Sequence, residues 1–275
     1  TSFAGHDCIP WDQSVRNASE LLQKEYQQDV AKIEVFDHVS GSLSGGTLAT
    51  IIHSLIGRVH YKSQLGFDPL QSLFGVQQQS ELKCLNQSFL QYNKTVQQWV
   101  GPFVMAPVMG NCIRRSNAIL HYSSNTDPAT KRATYKEMFC FENLCEGIST
   151  IMSLLGMGLA LTLPVAPQIL SKIHPPGSGP TPEQQQEGYL LIQVRVTGTR
   201  GAQTEGWCYI PKDPGYYYTA RMLVETGLTP ILNKNEVEQL PYKGGLWTPA
   251  ALLGPVLQKR LEAIGIQFAT RALSK

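Results

Sequence analysis

His6, Asp7 and Asp12 are the first residues along the chain whose types can do chemistry. A histidine moves protons near neutral pH, and a carboxylate beside it fixes which ring nitrogen carries the proton. The same residues have a plainer use. Asp12 suits the cap of a helix beginning near Ser14, and Asp7 suits a turn before Pro10. No nucleophile accompanies them, so the structural use carries more weight. Ser44-Gly45-Gly46-Thr47 offers backbone N–H groups at a helix start, a place for a carboxylate or phosphate. It lacks the lysine and spacing of a Walker loop and is not G-x-G-x-x-G, and a tight turn is its plainer use. Arg114-Arg115 would hold an acidic group if both faced it, although adjacent arginines more often point to opposite sides of an element. Tyr216-Tyr217-Tyr218 suits either a membrane interface or helix packing.

Six cysteines (Cys8, Cys84, Cys112, Cys140, Cys145 and Cys208) include no C-x-x-C pair. Cys140 and Cys145 have no histidine close by to complete a zinc set, so no metal site is expected. Reduced, mostly buried thiols are the expectation. With a formal net charge of +2 over 275 residues and no run of Lys and Arg, nucleic acid is not an expected partner. The hydrophobic content of 42% suits a chain that buries a large core.

The elements that must position these groups follow from hydrophobic spacing. Val15, Ala18, Leu21 and Leu22 predict a helix over 14–28, and the alternation of Ile33, Val35, Asp37 and Val39 predicts a strand over 32–39. A glycine turn at 40–47 and a helix over 48–60 follow. The Gln-rich stretch from Gln77 to Gln98 reads as loop and a polar surface helix, and a further helix is expected up to Tyr122. Thr181 predicts a short helix start at 183–187, strands at 189–198 and 205–210 form a hairpin, and helices follow at 214–226 and 255–263 before a last strand at 266–270. Mixed strands and helices without a βαβ rhythm predict an α+β fold, a mixed β-sheet covered by helices.

Between Glu146 and Lys172 there is not one formal charge. Ile148, Ile151, Leu154, Leu155, Leu159 and Leu161 belong to a segment that is apolar on every face, as expected of a helix deeply buried or in contact with a membrane. Its length approaches the roughly 20 residues of a membrane span. Pro164 and Pro167 limit the unbroken helix, which favours partial insertion or a hairpin over a full span. The chain therefore divides into a first α+β part at 1–145, the hydrophobic segment at 146–173, a Pro/Gly linker at 174–182, and a hairpin with C-terminal helices at 183–275.

Gly5-His6-Asp7-Cys8-Ile9-Pro10-Trp11-Asp12, Ser44-Gly45-Gly46-Thr47, Pro176-Gly177-Ser178-Gly179-Pro180, Asp213-Pro214-Gly215-Tyr216 and Gly244-Gly245-Leu246-Trp247-Thr248-Pro249 run in an order that resembles the saccharopine dehydrogenase-like oxidoreductases, including the trans-acting enoyl reductases. In that family the first of these segments follows a Rossmann domain that binds NAD(P)H. The resemblance implies that this chain corresponds to the second domain, which shapes a substrate cleft and mediates self-association. The expectation is a chain with the Rossmann domain absent, no cofactor of its own, and a surface for another protein where that domain would pack. The expected role is that of a non-catalytic, membrane-associated interaction subunit, intracellular, at an organelle membrane or lipid droplet. The alternative is the substrate and dimerisation domain of a complete NAD(P)H-dependent oxidoreductase.

Overall fold

A computed structural model describes residues 4–6, 8–41, 82–86, 89–123, 133–161, 169, 172, 175, 177–239 and 247–273. The predicted fold class holds: helices pack on a mixed sheet. Eight described strands form it, β1 (Val30–Ser40), β2 (Lys83–Cys84), β3 (Gln91–Asn93), β4 (Gln98–Gly101), β5 (Thr134–Phe141), β6 (Tyr189–Gly198), β7 (Gln203–Ile210) and β8 (Gln267–Leu273). Their order is β3-β4-β5-β1-β6-β7-β8, with β2 beside the start of β5. The central pair β1 and β5 is parallel, whereas β6, β7 and β8 add to β1 as an antiparallel run.

Helix α1 (Ile9–Tyr26) begins five residues before the predicted start. Pro10 stands in its first turn, where a missing N–H costs no hydrogen bond and the fixed φ already suits a helix. The earlier start brings Trp11 and Asp12 inside the helix, so Asp12 is not its cap. The helix lies on β6 and β7 so closely that a Cβ on Gly206 would stand 2.8 Å from the Ser14 carbonyl oxygen. Thr204 Oγ1 donates to the Ala18 carbonyl at 2.8 Å across the same contact. Helix α2 (Ala106–Leu120) packs beside α1 over β5. Ile9, Val15, Leu22, Ile33, Val35, Met109, Ile113, Val194 and Leu257 are among the residues of the main core between sheet and helices. Arg115 on α2 is buried, against the expectation of a solvent-facing arginine.

Helix α3 (Leu144–Leu161) follows β5 directly, and α4 (Pro182–Glu187) starts behind Thr181 in a capping box with Gln184. A π turn (Pro214–Tyr218) leads into α5 (Thr219–Leu232), then α6 (Lys234–Glu238), α7 (Pro249–Leu252) and α8 (Gly254–Ala263). Gly227 does not end α5 as predicted; the helix runs through it and through Pro230. The described part of the Gln-rich stretch is not a polar helix but the small strands β2, β3 and β4. The glycine turn at 42–47 and the helix at 48–60 lie outside the described residues.

Candidate functional site

The carboxyl ends of β1, β5 and β7 and the start of β6 meet at one end of the sheet, as the pairings Ser40 with Tyr189 and Leu190 with Ile210 require. His6 reaches this end. Its backbone N–H donates to Thr219 Oγ1 at 2.9 Å, and its ring stands edge-on to Trp11 with centroids 5.3 Å apart. Trp11 Nε1 in turn donates to Asp37 Oδ1 at 2.7 Å. Asp37 on β1 and Glu137 on β5 are both fully buried, and Tyr135 donates its hydroxyl to Glu137 Oε2 at 2.6 Å. Asp37 Oδ2 and Glu137 Oε1 find no hydrogen-bond partner, and the charge on Glu137 disfavours ionisation of Asp37. Burial pushes Glu137 up to about 7 and, with the Glu137 charge adding to burial, lifts Asp37 well above the carboxylate range.

Asp12 works elsewhere. Its Oδ2 accepts the Ala250 N–H at 3.0 Å, which satisfies a donor in the first turn of α7, next to the Ser116–Thr248 hydroxyl pair at 2.6 Å. Burial raises its carboxyl to about 6, opposed by its hydrogen bonds to Ser116, Ala250 and Thr248. His6 bonds to Thr219 and Asp12 to Ala250, on different helices. Asp7 and the candidate anion loop Ser44, Gly45, Gly46 and Thr47 lie outside the described residues. Among the described residues no group of three or more His, Cys, Asp or Glu side chains gathers as a metal site. All six cysteines are free: Cys8, Cys112, Cys140 and Cys208 are buried, Cys84 and Cys145 exposed.

The second face of the sheet carries a feature that spacing did not reveal. Lys136, Glu34, Arg195, Glu205 and Arg271 are consecutive register partners on β5, β1, β6, β7 and β8. They form one row of alternating charge across five strands. Glu205 is fully buried at the centre of its pairs, accepting from Arg195 and from Arg271 Nε at 3.0 Å and Nη2 at 2.7 Å. Burial opposes its ionisation, but the two guanidiniums outweigh that and hold the carboxyl below its ordinary range.

Helix α3 leaves the same end of the sheet. Asn143 Oδ1 accepts the Glu146 N–H at 2.9 Å, which caps the helix start. Its first turns are seated: Gly147 stands against Leu90 and Phe141, and Ile151 against Gly101. Every residue from 152 to 159 is exposed, including Leu155 at 63% and Leu159 at 71%. Of the predicted contact residues, Ile148, Leu154, Leu155 and Leu159 are exposed, Ile151 is half-buried, and nothing is described of the Leu161 side chain. The helix is thus not the deeply buried one that its composition also allowed. No helix among the described residues is long and apolar enough to cross a membrane.

Fold and site define an α+β domain with a buried acid pair at one sheet end and an uncovered apolar helix beside it. Sequence comparison relates that domain to reductases. The chain is 29% identical over 186 residues to a protein of Mycobacterium tuberculosis (strain ATCC 25618 / H37Rv) named as a trans-acting enoyl reductase, a match covering 64% of this chain and 42% of that protein. Trans-acting enoyl reductases of Mycobacterium bovis (strain BCG / Pasteur 1173P2) and Mycobacterium leprae (strain TN) are 28% and 26% identical over 184 residues, with the same shares. The chain spans less than half the length of these relatives. No protein-family model matches it. The matches support the reductase relationship that the motif order implies, and the wider saccharopine dehydrogenase-like assignment rests on the motifs.

Proposed function

We propose that these residues form a non-catalytic interaction domain of a reductase-related protein and attach it to a lipid surface. The uncovered α3 carries this reading. Large apolar side chains at 148, 152, 155 and 159 stand in solvent along one side of the helix, and Leu154 and Met157 stand out on others. Burying such area in an apolar phase is favourable by about 25 cal/mol for each Å². A contiguous patch of this kind marks a docking surface on a soluble fold. Other partners in this reading are a protein seated where a nucleotide-binding domain would pack, and a second copy of the chain.

Flotation of the purified chain with phosphatidylcholine vesicles tests the reading. The chain is expected in the floated fraction, and a variant with Met152, Leu155 and Leu159 all replaced by serine in the unbound fraction. Equal recovery of both with the vesicles would overturn it.

A second reading is favoured by the length of the relatives, whose enoyl reductase name belongs to proteins more than twice the matched span. Here the domain shapes the substrate cleft of an NAD(P)H-dependent oxidoreductase. The intact mass of the protein isolated from its own source separates the two: a mass near that of these 275 residues supports the first reading, and one heavier by a whole domain together with saturable NADPH binding supports the second.

A further inference from the structure

We infer that α3 enters a single lipid leaflet end-on, with the tyrosine-rich end of the sheet at the headgroups. The inference rests on the lipid-surface reading and adds to it the depth and direction of insertion.

Length sets the depth. The helix is held to the sheet through Gly147 and Ile151, and the uncharged part beyond runs from Met152 to the end of the helix at Leu161, exposed from 152 to 159. At about 1.5 Å per residue that is roughly 15 Å. The hydrocarbon core of a bilayer is about 30 Å thick, so this length matches one leaflet. Pro164 and Pro167 follow in the sequence, and a helix long enough to reach the second leaflet would have to contain them in its interior.

Charge sets the mode. A helix lying flat in the interface needs a polar, usually basic face toward the headgroups. No charged residue occurs after Glu146 in this helix, and its least apolar side carries only Ser149, Thr150 and Ser153, close to the seated base. Serine and threonine hydroxyls return hydrogen bonds to their own helix backbone, which is compatible with hydrocarbon. A helix docked on a protein would keep one apolar face and one wet face. This one offers no face suited to water along its outer half.

The end of the sheet from which α3 departs supplies a second, independent observation. Tyr189 and Tyr209 are exposed there, at the start of β6 and the end of β7. Half-buried Tyr217 has two cations near its ring, Lys212 Nζ at 5.0 Å and the Arg221 guanidinium at 4.1 Å from the ring centre. Tyrosines with cationic neighbours belong at the level of the headgroups, where an apolar ring and a polar tip are both accommodated. Tyr218, the third of the run, is buried and donates to the Ile264 carbonyl at 3.3 Å, so it belongs to the core.

The test is depth-dependent quenching on the full chain. Met152→Trp and Leu159→Trp are compared with the unmodified chain on phosphatidylcholine vesicles whose lipids carry bromine near the glycerol, at mid-chain or at the chain end. Expected is a gradient: extra quenching strongest near the glycerol for Met152→Trp and toward the chain end for Leu159→Trp. Leu155→Asp, which places a charge at mid-leaflet, is expected to lower vesicle binding on the order of a hundredfold. Vesicle binding with equal depth at both positions would overturn end-on insertion and leave the lipid-surface reading standing. Absence of vesicle binding would overturn both. Persistent dimers whose tryptophans are shielded from every bromine would assign α3 to a second copy instead.

Discussion

At the scale of residues, the pair Asp37–Glu137 has the sharpest consequences. Each carboxyl titrates higher in the folded protein than in the unfolded chain, from 4.5 to about 7 for Glu137 and well above 3.8 for Asp37. The folded state therefore binds the extra proton. Stability from this source is complete below the unfolded values and is lost as pH rises toward 7 and beyond. Asp12, raised to about 6, acts with the same sign, so a difference between variants isolates the pair. Glu137→Gln is expected to flatten the fall of melting temperature between pH 4.5 and 7, since the amide is neutral throughout and still accepts from Tyr135. Parallel melting curves for variant and parent would show that Glu137 takes up no proton in this range. Trp11→Phe removes the donor to Asp37 and leaves a buried oxygen without a partner. It is expected to cost about 1–3 kcal/mol in urea denaturation. Neither carboxyl of this pair was singled out for chemistry from sequence: Asp37 was read as part of an alternating strand, and Glu137 lies in a stretch for which no strand was predicted. Partnership between residues 100 apart has no local signal. Asp12, close to His6 along the chain, accepts from the first turn of another helix in space.

At the scale of elements, the charged row ties β6, β7 and β8 together on the face away from the helices. Glu205→Gln removes the anion that two arginines and Gln193 converge on. With Arg271 largely in solvent, the loss is expected at about 2–3 kcal/mol, below what breaking a fully buried pair costs. Amide hydrogen exchange along β8 checks the location: faster exchange there, with β1 unchanged, is the expected pattern. The hairpin β6–β7 and the capped start of α4 were legible because their signals are local, an alternation interrupted by Thr199-Arg200-Gly201 and a Thr181 followed three residues later by Gln184. The start of α1 was misplaced because Asp12 was read as its cap, when it stands inside the first turn. β2 to β5 were missed because their composition is polar or mixed, and they become strands by pairing with one another and with β1.

At the scale of the whole molecule, one face of the sheet is closed by α1, α2, α7 and α8, and α3 stands apart from that core. Left in water, such a helix is expected to drive association of the chain with itself. The triple serine variant at 152, 155 and 159 is expected to sediment as a smaller species than the parent at equal concentration, with an unchanged melting temperature. An equal drop in melting temperature would show instead that those side chains support the fold. The sequence by itself determined the α+β class, the uncharged stretch after Glu146 and the hairpin, because each depends on periodicity or composition within a short window. Only the tertiary structure decided which carboxyls are buried together, which charges line up across five strands, and that the apolar helix lies exposed. Those properties depend on register and burial between distant segments, and a linear pattern holds no information about what packs against it.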